Sequence, residues 1–188
     1  MARTAPNAKR DILAAARSCF SRSGFRGTSL REIAEEYGGT KAALLYHFES
    51  KDAILEALLG PHWDALRELA RSLEGLTPAE ARERAIIGMA DNAVRFRDDL
   101  AVFHAEIAEI MRFERFRDAG AAIDQIADAF AGGSGVLRDL IAARIVLGGV
   151  AFACHEFADA PDADLREAIL LVMRHALGGI PLAETGGR

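Results

Sequence analysis

The stretch from Gly24 to Lys51, GFRGTSLREIAEEYGGTKAALLYHFESK, constrains this chain more than any other. It holds two helix starts within a dozen residues. Ser29 is followed three positions later by Glu32, so the hydroxyl can cap a new turn while the carboxylate reaches back to the Ser29 N–H. A helix is expected over 30–37, with Leu30, Ile33 and Ala34 on one face. Gly38-Gly39 stops it, because glycine tolerates the left-handed conformation that closes a helix. Thr40 then caps a second short helix, KAALLYHF, which runs into a third start at Ser50-Lys51-Asp52. Two short helices joined by a tight glycine turn are the geometry of a helix-turn-helix, whose second helix enters the DNA major groove.

The pattern of Ile12, Leu13, Ala15, Ala16, Phe20, Gly24, Phe25, Gly27, Thr28, Ser29, Ile33, Ala34, Gly38, Thr40, Lys41, Tyr46, His47, Phe48, Ser50 and Lys51 resembles the N-terminal DNA-binding domain of the TetR family of bacterial transcription regulators. The likeness is nearly gap-free over about a quarter of the chain. Two positions depart from it. Gly39 stands where the family usually has Val or Ile, which is expected to loosen the turn. Leu45 stands where the family often has the first of two aromatic residues, which bears on a phosphate contact.

Charge divides the chain at the same place. The net charge is −5 overall, yet residues 1–51 hold nine Lys/Arg against five Asp/Glu, a net +4, and the remainder carries −9. A positive head on an acidic body is the footprint of a phosphate-binding module. With 51% apolar and 27% charged residues the chain can bury a core of its own. Cys19 and Cys154 are far apart in apolar helical contexts and read as small core residues, with a redox switch the lesser alternative. The first twenty residues have charges through their apolar run, unlike a signal peptide. The longest strongly apolar stretch, 145–154, is too short to span a membrane. A cytoplasmic protein with no membrane association is expected.

The expected fold class is all-α, about nine helices: a helix-turn-helix domain over 1–49, a helical effector-binding and dimerisation domain over 50–180, and a disordered tail over 181–188. Residues 1–6 read as a loose arm, with Arg3, Lys9 and Arg10 either at phosphates or simply solvated. The first helix is expected over 7–23, burying Ile12, Leu13, Ala16 and Phe20. A fourth is expected over 50–73, kinked or broken at Gly60-Pro61, because Pro61 lacks the N–H that would bond to Ala57. That kink either transmits ligand state to the head or merely fits the core. Thr77-Pro78-Ala79-Glu80 starts a fifth helix that reaches Phe96. A sixth opens at Asp98 or Asp99 with Leu100, Phe103, Ile107 and Met111 on a stripe, and a seventh carries Phe116, Ile123, Ile126 and Phe130. After the 132–135 loop, an eighth is expected over 136–158 and a ninth over 162–177. Their apolar faces (Leu140, Ile141, Ile145 and Phe152; Leu165, Ile169, Val172, Met173 and Leu177) exceed what one side of a small bundle needs. Gly148 and Gly149 would let another helix approach, so these two helices are expected to form a homodimer, as the resemblance also implies.

For DNA contact the candidates are Thr28 and Ser29 at a helix start, Thr40, Lys41, Ala42 and Ala43 opening the recognition helix, and Lys51 at the next start. Lys41 can donate to guanine or sit on a phosphate, and Ala42 and Ala43 can touch a thymine methyl. The resemblance implies backbone contacts for Tyr46 and His47. It also implies a pocket for a small-molecule effector among helices four to eight. Trp63, Met89, Phe96, Phe103, His104, Ile107, Met111, Phe116 and His155 are its candidates, each of which is otherwise ordinary core. His62, Arg95 and Arg112 are further polar anchors. No metal spacing and no cofactor motif is present.

The expected function is that of a ligand-responsive repressor binding a palindromic double-stranded DNA operator as a dimer, not an enzyme. Two rivals stand beside it. A helical-bundle metalloenzyme would need Glu-x-x-His pairs on facing helices, and here only Glu106 and Glu109 stand near His104. A helix-turn-helix protein acting through protein contacts draws on Gly39 and the net acidity.

Overall fold

The computed structural model describes residues 5–99, 114–180 and 182, with side chains from 7 to 99 and from 120 on. The described residues form eight helices and no strand: α1 (Ala5–Gly27), α2 (Leu30–Tyr37), α3 (Lys41–His47), α4 (Lys51–Ser72), α5 (Pro78–Arg95), α6 (Glu114–Phe130), α7 (Leu137–Glu156) and α8 (Asp162–Gly178). Residues 97–99 are also helical. The rest of the expected sixth helix lies outside the described residues, as do Arg3 and all of the tail except Leu182.

The head is three helices around one apolar centre. α1 buries Ile12, Ala16, Cys19 and Phe20, and α2 contributes Ile33 and Ala34. Phe20 and Phe25 meet edge to face, centroids 5.3 Å apart. The chain leaves helical geometry at Gly24 (φ 70°, ψ 165°), where the first helix was expected to end. Thr28 closes that corner: its hydroxyl donates to the Gly24 carbonyl at 2.8 Å and the Cys19 carbonyl at 3.1 Å.

α4 runs from head to body and does not break at Gly60-Pro61, one of the two outcomes expected there. It continues unbroken through Pro61. The proline ring faces outward, while Leu58, Leu59, His62 and Trp63 around it are buried. One lost backbone bond is a local cost, and the packing of the flanking residues offsets it. In the body α4 packs on α5 and α6, α5 packs on α6, α7 and α8, and α7 lies between α6 and α8. The centre holds Trp63, Ile86, Met89, Ile126 and Phe130. α5 begins with the capping box expected at Thr77, with Glu80 returning to the Thr77 N–H at 3.0 Å.

The expected apolar face of α8 divides in two. Leu165, Ile169, Met173 and Leu177 turn into the protomer's own core, while Val172 is exposed and Leu171 joins it. On α7, Leu137, Ile141, Ile145 and Phe152 recur at helical spacing and are all exposed.

Candidate nucleic-acid interface

The head presents α3 outward. Leu44 is fully buried in the core, and α3 packs on α2. Every other α3 position from Lys41 to Tyr46 is exposed, including Leu45 at 40% and Tyr46 at 84%. Thr40 caps the helix by accepting from the Ala43 N–H at 3.1 Å, and Lys41, Ala42 and Ala43 are all exposed in its first turn. Tyr46 and the half-exposed His47 meet edge to face at 5.1 Å. Thr40, Lys41, Ala42, Ala43, Tyr46 and His47 thus share one small solvent-facing helix.

The turn before it is closed by backbone hydrogen bonds. Gly38 takes the left-handed conformation (φ 72°), with its N–H on the Glu35 carbonyl at 3.0 Å. The Gly39 N–H reaches the Ala34 carbonyl at 2.9 Å, completing a Schellman closure. A Cβ at Gly39 would meet the Tyr37 ring at 2.5 Å. The ring therefore occupies the space that a larger residue would use.

Three expected phosphate contacts sit differently. Thr28 is 3% exposed, and its hydroxyl is spent on the α1 corner. Lys51 is turned inward: its ammonium donates to the Phe25 carbonyl at 2.5 Å and the Thr28 carbonyl at 2.7 Å, and lies 4.4 Å from the Phe25 ring centroid. A cation on the carbonyls that end α1 braces the corner. Ser29 is exposed, yet its N–H is already held by the Glu32 carboxylate at 2.7 Å. Hydrogen bonds from Ser29 keep that carboxyl below the usual carboxylate range, so an anion already occupies the start of α2.

The interior candidates separate too. Trp63, Met89 and Phe96 are buried. His62, which faces the Phe96 ring at 5.5 Å, is buried with them, and its Nδ1 has no hydrogen-bond partner. Burial pushes its pKa down to about 4, against a hydrogen bond with Asn92, so the ring is neutral. His155 is exposed near the end of α7, which removes it from an interior wall. Phe103, His104, Ile107, Met111 and Arg112, with Glu106 and Glu109, lie outside the described residues, as does the side chain of Phe116. Both cysteines are buried; burial raises Cys19 and pushes Cys154 up to about 11, which leaves neither as a thiolate at neutral pH. Among the described residues no three His, Cys, Asp or Glu side chains gather as a metal site. No helix among them is long and apolar enough to cross a membrane.

Sequence reasoning passed over one contact. Arg17 on α1 donates to Asp99 at 2.7 Å, joining head to body. Asp99 is 6% exposed; burial raises its pKa, and Arg17 opposes the rise. No helical period marks a pair 82 positions apart.

A capped three-helix head that displays its third helix defines a helix-turn-helix protein. Residues 12–58 match the family model described as bacterial regulatory proteins, tetR family, so this domain is similar to that family's N-terminal domain. The same segment is 51% identical over 51 residues to the HTH-type transcriptional regulator RutR of Escherichia coli K12, covering 27% of this chain and 24% of the relative. The matched stretch thus spans about a quarter of the length of such curated relatives. Over nearly the whole chain the fold is that of the ketosteroid transcriptional regulator KstR2 of Mycobacterium tuberculosis (TM-score 0.76, 18% identity, 93% of this chain and 95% of that one). It is also that of AibR, solved in complex with isovaleryl coenzyme A and operator DNA (TM-score 0.63, 22% identity, 88% and 97%).

Proposed function

We propose that this chain is a dimeric, cytoplasmic transcriptional repressor that binds a palindromic operator and leaves it when a small, mostly apolar effector binds the body. The exposed surface of α3 carries the reading. It sets a cation, a cap hydroxyl, two methyls and an aromatic ring on a helix narrow enough for the major groove. Lys41 reads a base edge or holds a phosphate, Ala42 and Ala43 permit close approach, and Tyr46, His47 and Thr40 pack along the backbone. Ser29 contacts phosphate through its exposed side chain only.

One seven-residue helix reads too few base pairs to specify a site, so two heads are needed. The exposed stripe on α7, continued by Leu171 and Val172 on α8, supplies the face that pairs them. A Cβ at Gly148 or Gly149 would meet nothing within 4 Å, so the backbone there is open to a partner helix. Two protomers joined there around a two-fold axis place their heads on successive major grooves, about 34–36 Å apart. The effector acts by favouring a spacing of the heads that misses one half-site. The likeness to AibR, whose structure contains both a ligand and operator DNA, supports this scheme.

Selection of bound DNA from a random pool by the purified protein tests it. A two-fold symmetric site is expected, with affinity falling steeply as salt rises. Lys41→Ala and Tyr46→Ala should each weaken binding by about 1–3 kcal/mol. Recovery of no preferred sequence, or binding indifferent to both substitutions, would overturn the reading.

A further inference from the structure

Between head and body lies a cleft of about 340 Å³. Its floor is apolar, formed by Leu13 of α1, Ala57, Leu58 and Pro61 of α4, and Phe96 just beyond α5. Its rim is cationic, formed by Arg10 and Arg17 of α1 and Arg95 at the end of α5. Among the described residues the acidic groups at this rim are few. Asp99 is engaged by Arg17 at 2.7 Å, Asp11 stands 3.7 Å from Arg10, and Asp98 adjoins Asp99. Arg95 lies over the face of Phe96, 4.9 Å from the ring centroid, which ties a guanidinium to the apolar floor. The Arg10 side chain is 77% exposed at the opening, held only by its long pairing with Asp11.

We propose that this cleft is a binding site for a small amphipathic carboxylate, separate from any site in the body's interior. Arg95 and Arg10 hold the carboxylate, Arg95 with the planar fork that suits two oxygens. An aliphatic body of about eight carbons lies on Leu13, Pro61 and Phe96, well within a cleft of this size. Charge and apolar surface are both required. A rim of guanidiniums over an apolar floor selects neither an alcohol nor a bare inorganic anion.

The position gives the site a consequence. A carboxylate at the rim is a second acceptor for Arg17 and competes with Asp99 for it. The Arg17–Asp99 bond joins α1 to the body, so occupancy loosens the head. This consequence for DNA rests on the proposed function; binding itself does not.

Calorimetric titration of the full chain with octanoate, octan-1-ol, octylamine and inorganic phosphate tests the site without DNA. Octanoate should bind saturably. Arg95→Gln and Arg10→Gln should each weaken it at least about tenfold, while circular dichroism shows both variants folded, as expected for exposed side chains. The alcohol, amine and phosphate should bind far more weakly. The proposal fails if octanoate does not bind up to about 10 mM, if both variants bind it as the parent does, or if octanol or phosphate binds equally well. Operator binding with and without octanoate then reads the coupling. An effect lost in Arg17→Gln supports it, and octanoate that binds without changing DNA affinity removes the coupling while leaving the site.

Discussion

Replacing Lys51 with Met separates two roles for one cation. As a phosphate contact, Lys51 would add to DNA affinity and nothing to the fold. The structure instead places its ammonium on the Phe25 and Thr28 carbonyls, with the Phe25 ring beside it. A hydrogen bond from a charged donor contributes about 1.5–3 kcal/mol, and a cation over an aromatic face about 0.5–1 kcal/mol at a wet site. Lys51 is only half-buried, so water takes over part of both carbonyls once the ammonium is gone. Methionine keeps the aliphatic stem and its packing. The expected net loss is about 2 kcal/mol, which for a chain of this length lowers the melting temperature by about 4–8 °C. Thermal melts by circular dichroism at one fixed protein concentration measure it, since dimerisation makes the midpoint concentration-dependent. The salt dependence of DNA binding supplies the second readout, because each neutralised phosphate contributes about 0.9 to the slope. Lys51→Met should leave that slope unchanged. An unaltered melting temperature together with a slope reduced by about one would show that the cation serves DNA and not the corner.

Further expectations follow from the same structure. Leu44→Ala empties the one position that docks α3, and should cost about 2–5 kcal/mol while abolishing DNA binding, read by urea denaturation and gel shift. His62 is held neutral with its pKa near 4, below its unfolded value of 6.5, so only the unfolded chain gains that proton as pH falls. Its contribution to stability is therefore present above pH 6.5 and is lost as pH drops toward 4, by up to about 3 kcal/mol; His62→Leu should flatten that part of the stability curve. Gly39→Ala should destabilise the head by about 1 kcal/mol because of the Tyr37 ring, and in a Tyr37→Ala background the penalty should vanish, a coupling that a double-mutant cycle measures. Ile145→Glu, at the centre of the exposed α7 stripe, should give a folded monomer by light scattering; a variant that remains dimeric would place the interface elsewhere.

These placements share a pattern. Pro61 carried a valid local argument for a break, but a helix interior can forgo one bond when Leu58, Leu59 and Trp63 are buried beside it. Lys51 and Thr28 carried the right chemistry for phosphate, and both are turned to carbonyls from other parts of the chain. His155 has the right character for a pocket and lies on the surface. In each case residue type was legible, while the partner was set by contacts distant in sequence.

Local chemistry determined several of the helix ends. Ser29 with Glu32, Gly38, Thr40, and Thr77 with Glu80 are each a cap within reach of its own turn, so the structure reproduces them where the sequence placed them. The outward face of α3 was legible for the same reason, since a seven-residue helix with Leu44 as its single buried residue can dock in only one way. Tertiary structure decided which cations face solvent and which brace the fold, which face of α8 is core, and that Arg17 meets Asp99 across the head–body joint. Helical periodicity assigns residues to faces, but it does not say what each face meets. That is settled only when helices far apart in the chain compete to exclude the same water.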